Sequence, residues 1–133
     1  MLEFFQSSDI TKVLLAAFFA ILFLQSGIDK ITDYAGNLSW LTGHFGKSPL
    51  KNIVPMMLIT ITILEVAAGG LSAVGAVFIL LGKGSQVAYF GAVLSSVSIV
   101  MLFFGQRIAK DYGGAAGLVP YFVLSVLTMG LLR

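Results

Sequence analysis

Cysteine is absent from this chain of 133 residues, so no disulfide and no thiol redox chemistry can be built within it. Histidine occurs once, as His44, and no cluster of histidines and carboxylates stands beside it. A metal or haem site needs several such ligands, so neither an intrinsic metal nor an intrinsic cofactor is expected. Charge is scarce: 11% of residues carry it, less than half the roughly 25% of an average soluble domain. The net charge is only +2, and the basic residues are dispersed rather than clustered, which speaks against a nucleic-acid partner. Basic character is also missing from the start, where Glu3 and Asp9 precede Lys12. A secretory signal opens on cations, so the first apolar segment is expected to be kept as a span.

Apolar length fills the space that charge leaves. Hydrophobic residues make up 58% of the chain and the mean hydropathy is +0.99. At about 20 residues per crossing, the length accommodates four spans. The expected fold is all-α: a single transmembrane domain over residues 1–133, an integral membrane four-helix bundle with helices at about 11–30, 53–82, 86–106 and 115–132. An even number of spans puts both termini on one side, and a bacterial cytoplasmic membrane is the expected setting. Lys30, Lys47, Lys51, Arg107 and Lys110 fall on one side, against Lys12, Lys83 and Arg133 on the other. Removing Lys30 and Arg107 as pocket residues levels the count, which leaves orientation open.

Phe4 and Phe5 suit an interfacial lead-in, with Ser7, Ser8 or Asp9 available to cap the first helix. That helix is apolar from Val13 to Leu24 and then turns polar through Gln25, Ser26, Asp29 and Lys30. Gln25 and Asp29 share one face, Ser26 and Lys30 the next. Residues 31–52 are too rich in apolar groups for a free linker, and are read as a segment lying on the membrane surface, anchored by Tyr34 and Trp40. The second span starts at Ser48-Pro49 or at Val54-Pro55; in the first case Pro55 kinks it. Lys83-Gly84-Ser85 reads as a tight turn, and Ala88, Ala92 and Ser96 give the third span a small face. Arg107 and Asp111 are spaced to pair if that helix continues, and Pro120 is expected early in the fourth.

One acid stands inside the second span. Glu65 lies in an otherwise uncharged run from Ile53 to Gly82. An acid at the centre of a span costs roughly 2.5 kcal/mol or more, so its side chain should face protein or water rather than lipid. On a helix it shares a face with Ile61, Gly69, Ser72 and Ala76, most of them small enough for a neighbouring helix to approach closely. It is either a proton, ligand or partner-contact site, or a structural acid hydrogen-bonded to another helix. Gln25, Asp29, Lys30, Gln106 and Arg107 all fall toward the membrane face from which the second span enters. The simplest arrangement is a pocket open to that face, with Glu65 as its floor and cations at its rim, suited to a small amphipathic ligand such as a lipid or quinone. A direct pair between Lys30 and Glu65 requires the first helix to extend or the second to begin above the membrane.

The segments Phe23-Leu-Gln-Ser-Gly27-Ile-Asp-Lys30 and Leu64-Glu65-Val-Ala-Ala-Gly69-Gly70-Leu71 together resemble the DoxX-like family of small four-helix membrane proteins. By position the matching residues are Gly27, Lys30, Glu65, Gly69 and Gly70. The long first connection and the extra length from Ser72 to Gly84 depart from the family pattern. The resemblance implies association with quinol-oxidising or other redox membrane assemblies, with lipid-handling and maturation proteins in the wider group. The expected function is a non-catalytic accessory subunit of a larger membrane complex, respiratory (redox) or export-related, associated with membrane lipids and holding a phospholipid or quinone near Glu65. Two alternatives are a small dimeric proton-coupled carrier and a lipid-modifying enzyme that uses Glu65 as acid or base.

Overall fold

The computed structural model describes Glu3 and residues 7–133; Phe4 and Phe5, the expected lead-in, lie outside the described residues. Among these are five α-helices: α1 (Ser8–Thr32), α2 (Tyr34–His44), α3 (Val54–Leu80), α4 (Gln86–Ile108) and α5 (Tyr112–Leu132). All but α2 are long and apolar enough to cross a membrane, which makes the chain a four-helix integral bundle of multi-pass type. α3 packs between α1 and α4, α4 between α3 and α5, and lighter contacts from α1 to α4 and α5 close the bundle.

The helix ends follow local chemistry. Ser7 caps α1 by accepting from the backbone N–H of Asp9 at 3.2 Å. Asp33 both ends α1, through its N–H to the carbonyl of Asp29, and opens α2, through its side chain to the N–H of Gly36. α2 buries none of its residues, and its Trp40 is 61% exposed, as befits the expected surface segment. A 3-10 turn, Lys51–Ile53, leads into α3. Pro55 lies in the first turn of α3, where its missing N–H costs nothing, so the start at Val54-Pro55 holds and Pro55 does not kink the helix. Gly82 and Gly84 have φ of 74° and 93°, the left-handed values the turn into α4 requires.

Two expectations for the last connection fail for one reason. Asp111 turns its carboxylate onto the N–H of Gly114 at 2.9 Å and caps α5. It is therefore not paired with Arg107, whose guanidinium sits 4.5 Å from the centre of the Tyr112 ring instead. Starting α5 at Tyr112 rather than near Ala115 also puts Pro120 in the helix interior, two turns in, where it leaves the Ala116 carbonyl without its usual donor. Removing the cap with Asp111→Ala is expected to lower stability by about 1 kcal/mol, measured as a shift in the denaturation midpoint of the detergent-solubilised protein.

The core is narrow and depends on small residues. One layer joins Ala16, Ala76, Ile79, Ala88, Ala92 and Leu132, and a second joins Phe19, Phe23, Ala68 and Ile99. α3 meets α1 through Gly27 against Val66 and Gly69 against Leu24, and meets α4 through Gly75 against Ala88 and Gly91 against Ser72. A Cβ on Gly75 would stand 2.4 Å from the Ala88 backbone, so the axes approach as closely as glycine permits. Buried hydroxyls on α4 and α5 return their protons to carbonyls of their own helix, and Ser96 also lies 2.9 Å from Ser125 across the α4–α5 contact.

Candidate functional site: a buried ion pair beside a cavity

The face of α3 that carries Glu65 is the face that turns inward: Ile61, Glu65, Ala68, Gly69, Ser72 and Ala76 are all buried. Glu65 itself is 2% exposed. Its Oε2 accepts a hydrogen bond from Ser26 Oγ at 2.8 Å, and its Oε1 lies 2.8 Å from Lys30 Nζ. Lys30 in turn donates to Ser26 Oγ at 2.8 Å, closing a three-membered ring of contacts. No donor is aligned on Oε1, so its attraction to the ammonium is Coulombic rather than a well-directed hydrogen bond.

Register explains how a residue at the end of α1 meets one in the middle of α3. Gly27 opposes Val66 and Leu24 opposes Gly69, so the two helices run antiparallel with the small residues flanking the acid. Both glycines are required for that approach, because a Cβ on either would come within 2.7 Å of atoms across the crossing. α1 continues only to Thr32 past Lys30, whereas α3 begins eleven residues before Glu65. In that register Thr32 lies level with Ile61, so at 1.5 Å per residue the seven residues from Val54 make α3 stand roughly 10 Å proud of α1. The run of α1 past Lys30 to Thr32 meets one of the two conditions on which a direct Lys30–Glu65 pair depends.

That step is where a cavity of about 590 Å³ opens, bounded by α2, α3, the end of α4 and Lys30. Its walls are apolar, with Met57, Leu58, Ile61 and Met101 among them, while Asn37, Trp40, His44 and Gln106 supply polar groups. Glu65 is not part of the wall; Lys30 and Ser26 cover it, so the expected pocket floor is the ion pair's ammonium rather than the carboxylate. A second, more open groove of about 670 Å³ lies between α1 and α3, and Lys30 lines that as well.

The other sequence candidates do not join the centre. Gln25 is exposed, and Asp29 is exposed and receives Asn37 Nδ2 at 3.3 Å, which ties α1 to α2. Arg107 is exposed over Tyr112 and lines neither cavity. Of the glycines in the family pattern, Gly27 and Gly69 are sterically required, but Gly70 faces open space. His44, which as a lone loop histidine invites no role, is instead at a junction. Its Nε2 is 2.7 Å from Gln106 Oε1 and 3.7 Å from Asp111 Oδ2, and its ring stacks on Trp40 at 4.6 Å. The spacing of His44 to Trp40, one helical turn, was the sequence signal for that stack; its link to Gln106, 62 residues on, left none. Among the described residues, no group of three or more histidines and carboxylates could hold a metal ion.

Comparison with known protein families, curated proteins and solved structures yields no match to this chain.

Proposed function

We propose that this chain is a DoxX-like accessory subunit of a larger membrane complex, respiratory (redox) or export-related, and that it holds a lipid or quinone beside the Ser26–Lys30–Glu65 centre. The observation that supports this reading is the adjacency of an apolar cavity of about 590 Å³ to a buried, charge-balanced pair. The volume lies within the ~300–1,000 Å³ of small-molecule sites, and apolar walls with a few convergent polar groups are the usual make-up of such sites. Lys30 links the two features, since it both neutralises Glu65 and lines the cavity. An occupant at the cavity thus touches the residue that fixes α1 against α3.

The enzyme alternative asks Glu65 to reach a substrate, and a carboxylate 2% exposed beneath Lys30 is poorly placed for that. Gentle solubilisation from the native membrane followed by native mass spectrometry tests the subunit reading. One stoichiometric larger partner, with a small amphiphile released on unfolding, is the expected outcome. A self-contained dimer with no further protein would overturn it in favour of the carrier.

A further inference from the structure

Resting on the reading of the cavity as a ligand site, we infer that its occupant is an amphiphile with an uncharged head bearing carbonyl or hydroxyl oxygens, not an anionic phospholipid. Charge balance carries the argument. The one ammonium in the wall, that of Lys30, is already 2.8 Å from Glu65, and the one imidazole, His44, has Asp111 at 3.7 Å. No other cation lines the cavity among the described residues. A phosphate headgroup would set a second negative charge against the single ammonium that already balances Glu65, and drawing Lys30 fully onto it would strand a buried carboxylate.

The polar groups that remain suit a neutral head. Gln106 meets His44 only through Oε1, which accepts from the imidazole Nε2, so its amide Nε2 makes no hydrogen bond to a described residue, and neither does the Trp40 indole N–H. Both are donors, matched to carbonyl or hydroxyl oxygens. The stacked Trp40 and His44 rings offer a flat face beside them, and Met57, Met101 and Phe104 accept an apolar tail. None of the polar groups at this mouth depends on Glu65. Two sources share this head chemistry: a quinone and a diacylglycerol.

Trp40 is the only tryptophan in the chain, so its fluorescence reports on the mouth without added labels. The full-length protein in nanodiscs is titrated separately with a decyl-chain benzoquinone, a brominated diacylglycerol and a brominated phosphatidylglycerol. Saturable quenching by the quinone, by the diacylglycerol or by both is expected, with only linear, bulk-type quenching by the phosphatidylglycerol. Which of the two neutral probes saturates identifies the source. Gly105→Leu places a side chain in the cavity beside Phe45, where a Cβ meets only ordinary contact at 3.4 Å. It is expected to weaken the saturable phase at least tenfold while leaving the helical circular dichroism intact, and Val100→Phe serves as a second filler should the first misfold. Saturation by the anionic lipid equal to that of the neutral probes, saturation by none, or saturation unchanged in both filled variants would overturn the inference. Because the titration uses the isolated chain, a missing partner protein sinks the subunit reading without touching this result.

Discussion

Lys30→Met is expected to destabilise the folded bundle by about 3–5 kcal/mol, the cost of leaving one partner of a buried ion pair alone. Glu65 is then a carboxylate 2% exposed, with Ser26 as its only remaining donor. Glu65→Gln is expected to cost less, about 1–2 kcal/mol. The amide still accepts from Ser26, and Lys30, with 16% of its side chain exposed near the end of α1, can carry its charge toward the surface. The inequality is the informative part, because a pair that served only as a surface salt bridge would lose similar, small amounts from either side. Replacing both residues, as Lys30→Met with Glu65→Met, is expected to recover most of the loss, since an apolar pair of similar size carries no desolvation cost. Denaturation midpoints in one detergent of the wild type, Lys30→Met, the single Glu65→Met and the double Met variant supply the complete cycle, with Glu65→Gln measured beside them.

The second large effect lies one helical turn deeper. Gly69→Leu is expected to cost about 3 kcal/mol, at the upper end of what overpacking does. A Cβ at Gly69 stands 2.7 Å from both the backbone nitrogen and the Cγ of Leu24, so the blockage cannot be relieved by rotating a side chain alone. The axes of α1 and α3 must part, and with them Ser26 and Lys30 leave Glu65. Gly70→Leu, one residue along and facing open space, is expected to be neutral or slightly stabilising, because leucine is the better helix former by somewhat less than ~1 kcal/mol. Adjacent glycines thus differ by about 3 kcal/mol or more in the cost of the same substitution. Equal losses at the two positions would mean that the approach of α1 to α3 is not what Gly69 provides.

Much of this architecture was legible from residue types. Four apolar runs, a surface segment marked by Tyr34 and Trp40, and the burial of the Ile61, Glu65, Gly69, Ser72 and Ala76 face all follow from periodicity and from the cost of an acid in an apolar span. The choice among Gln25, Ser26, Asp29 and Lys30 did not, because each of the two faces carries a polar pair four residues apart. Gly27 held the missing information. It is buried against Val66, and residues two before and two after it point about 200° away on a helix, which turns Gln25 and Asp29 outward and leaves Ser26 and Lys30 beside the crossing. A glycine in an apolar helix could have been weighed as the contact face, yet only the partner's position shows which glycine is needed, as the contrast of Gly69 with Gly70 makes plain.

The connections were less legible still. Asp111 had two local uses, a salt bridge to Arg107 or a cap for the next helix, and spacing favours neither. The cap prevails because it satisfies a backbone donor that is otherwise orphaned, whereas an exposed ion pair is worth only a few tenths of a kcal/mol. The contact of His44 with Gln106 depends on how the end of α4 meets α2, a tertiary matter with no periodic trace. The cavity follows from the same cause: it exists because α3 starts early and α1 stops soon after Lys30, a difference in helix length that became definite only once the register of Gly27 on Val66 was known.

A single distance tests the central claim, that the one carboxyl group in the second span is sheltered by the ammonium at the end of the first. The chain has only two glutamates, Glu3 and Glu65, so solid-state NMR in lipid bilayers can measure dipolar coupling from ¹⁵Nζ-labelled lysine to ¹³Cδ-labelled glutamate with Glu65→Gln as the assignment control. A strong coupling that disappears in the Glu65→Gln protein is expected, in keeping with the 2.8 Å between Lys30 Nζ and Glu65 Oε1. A Glu65 signal with no lysine nitrogen near it would contradict the ion pair, and with it the site built on Lys30.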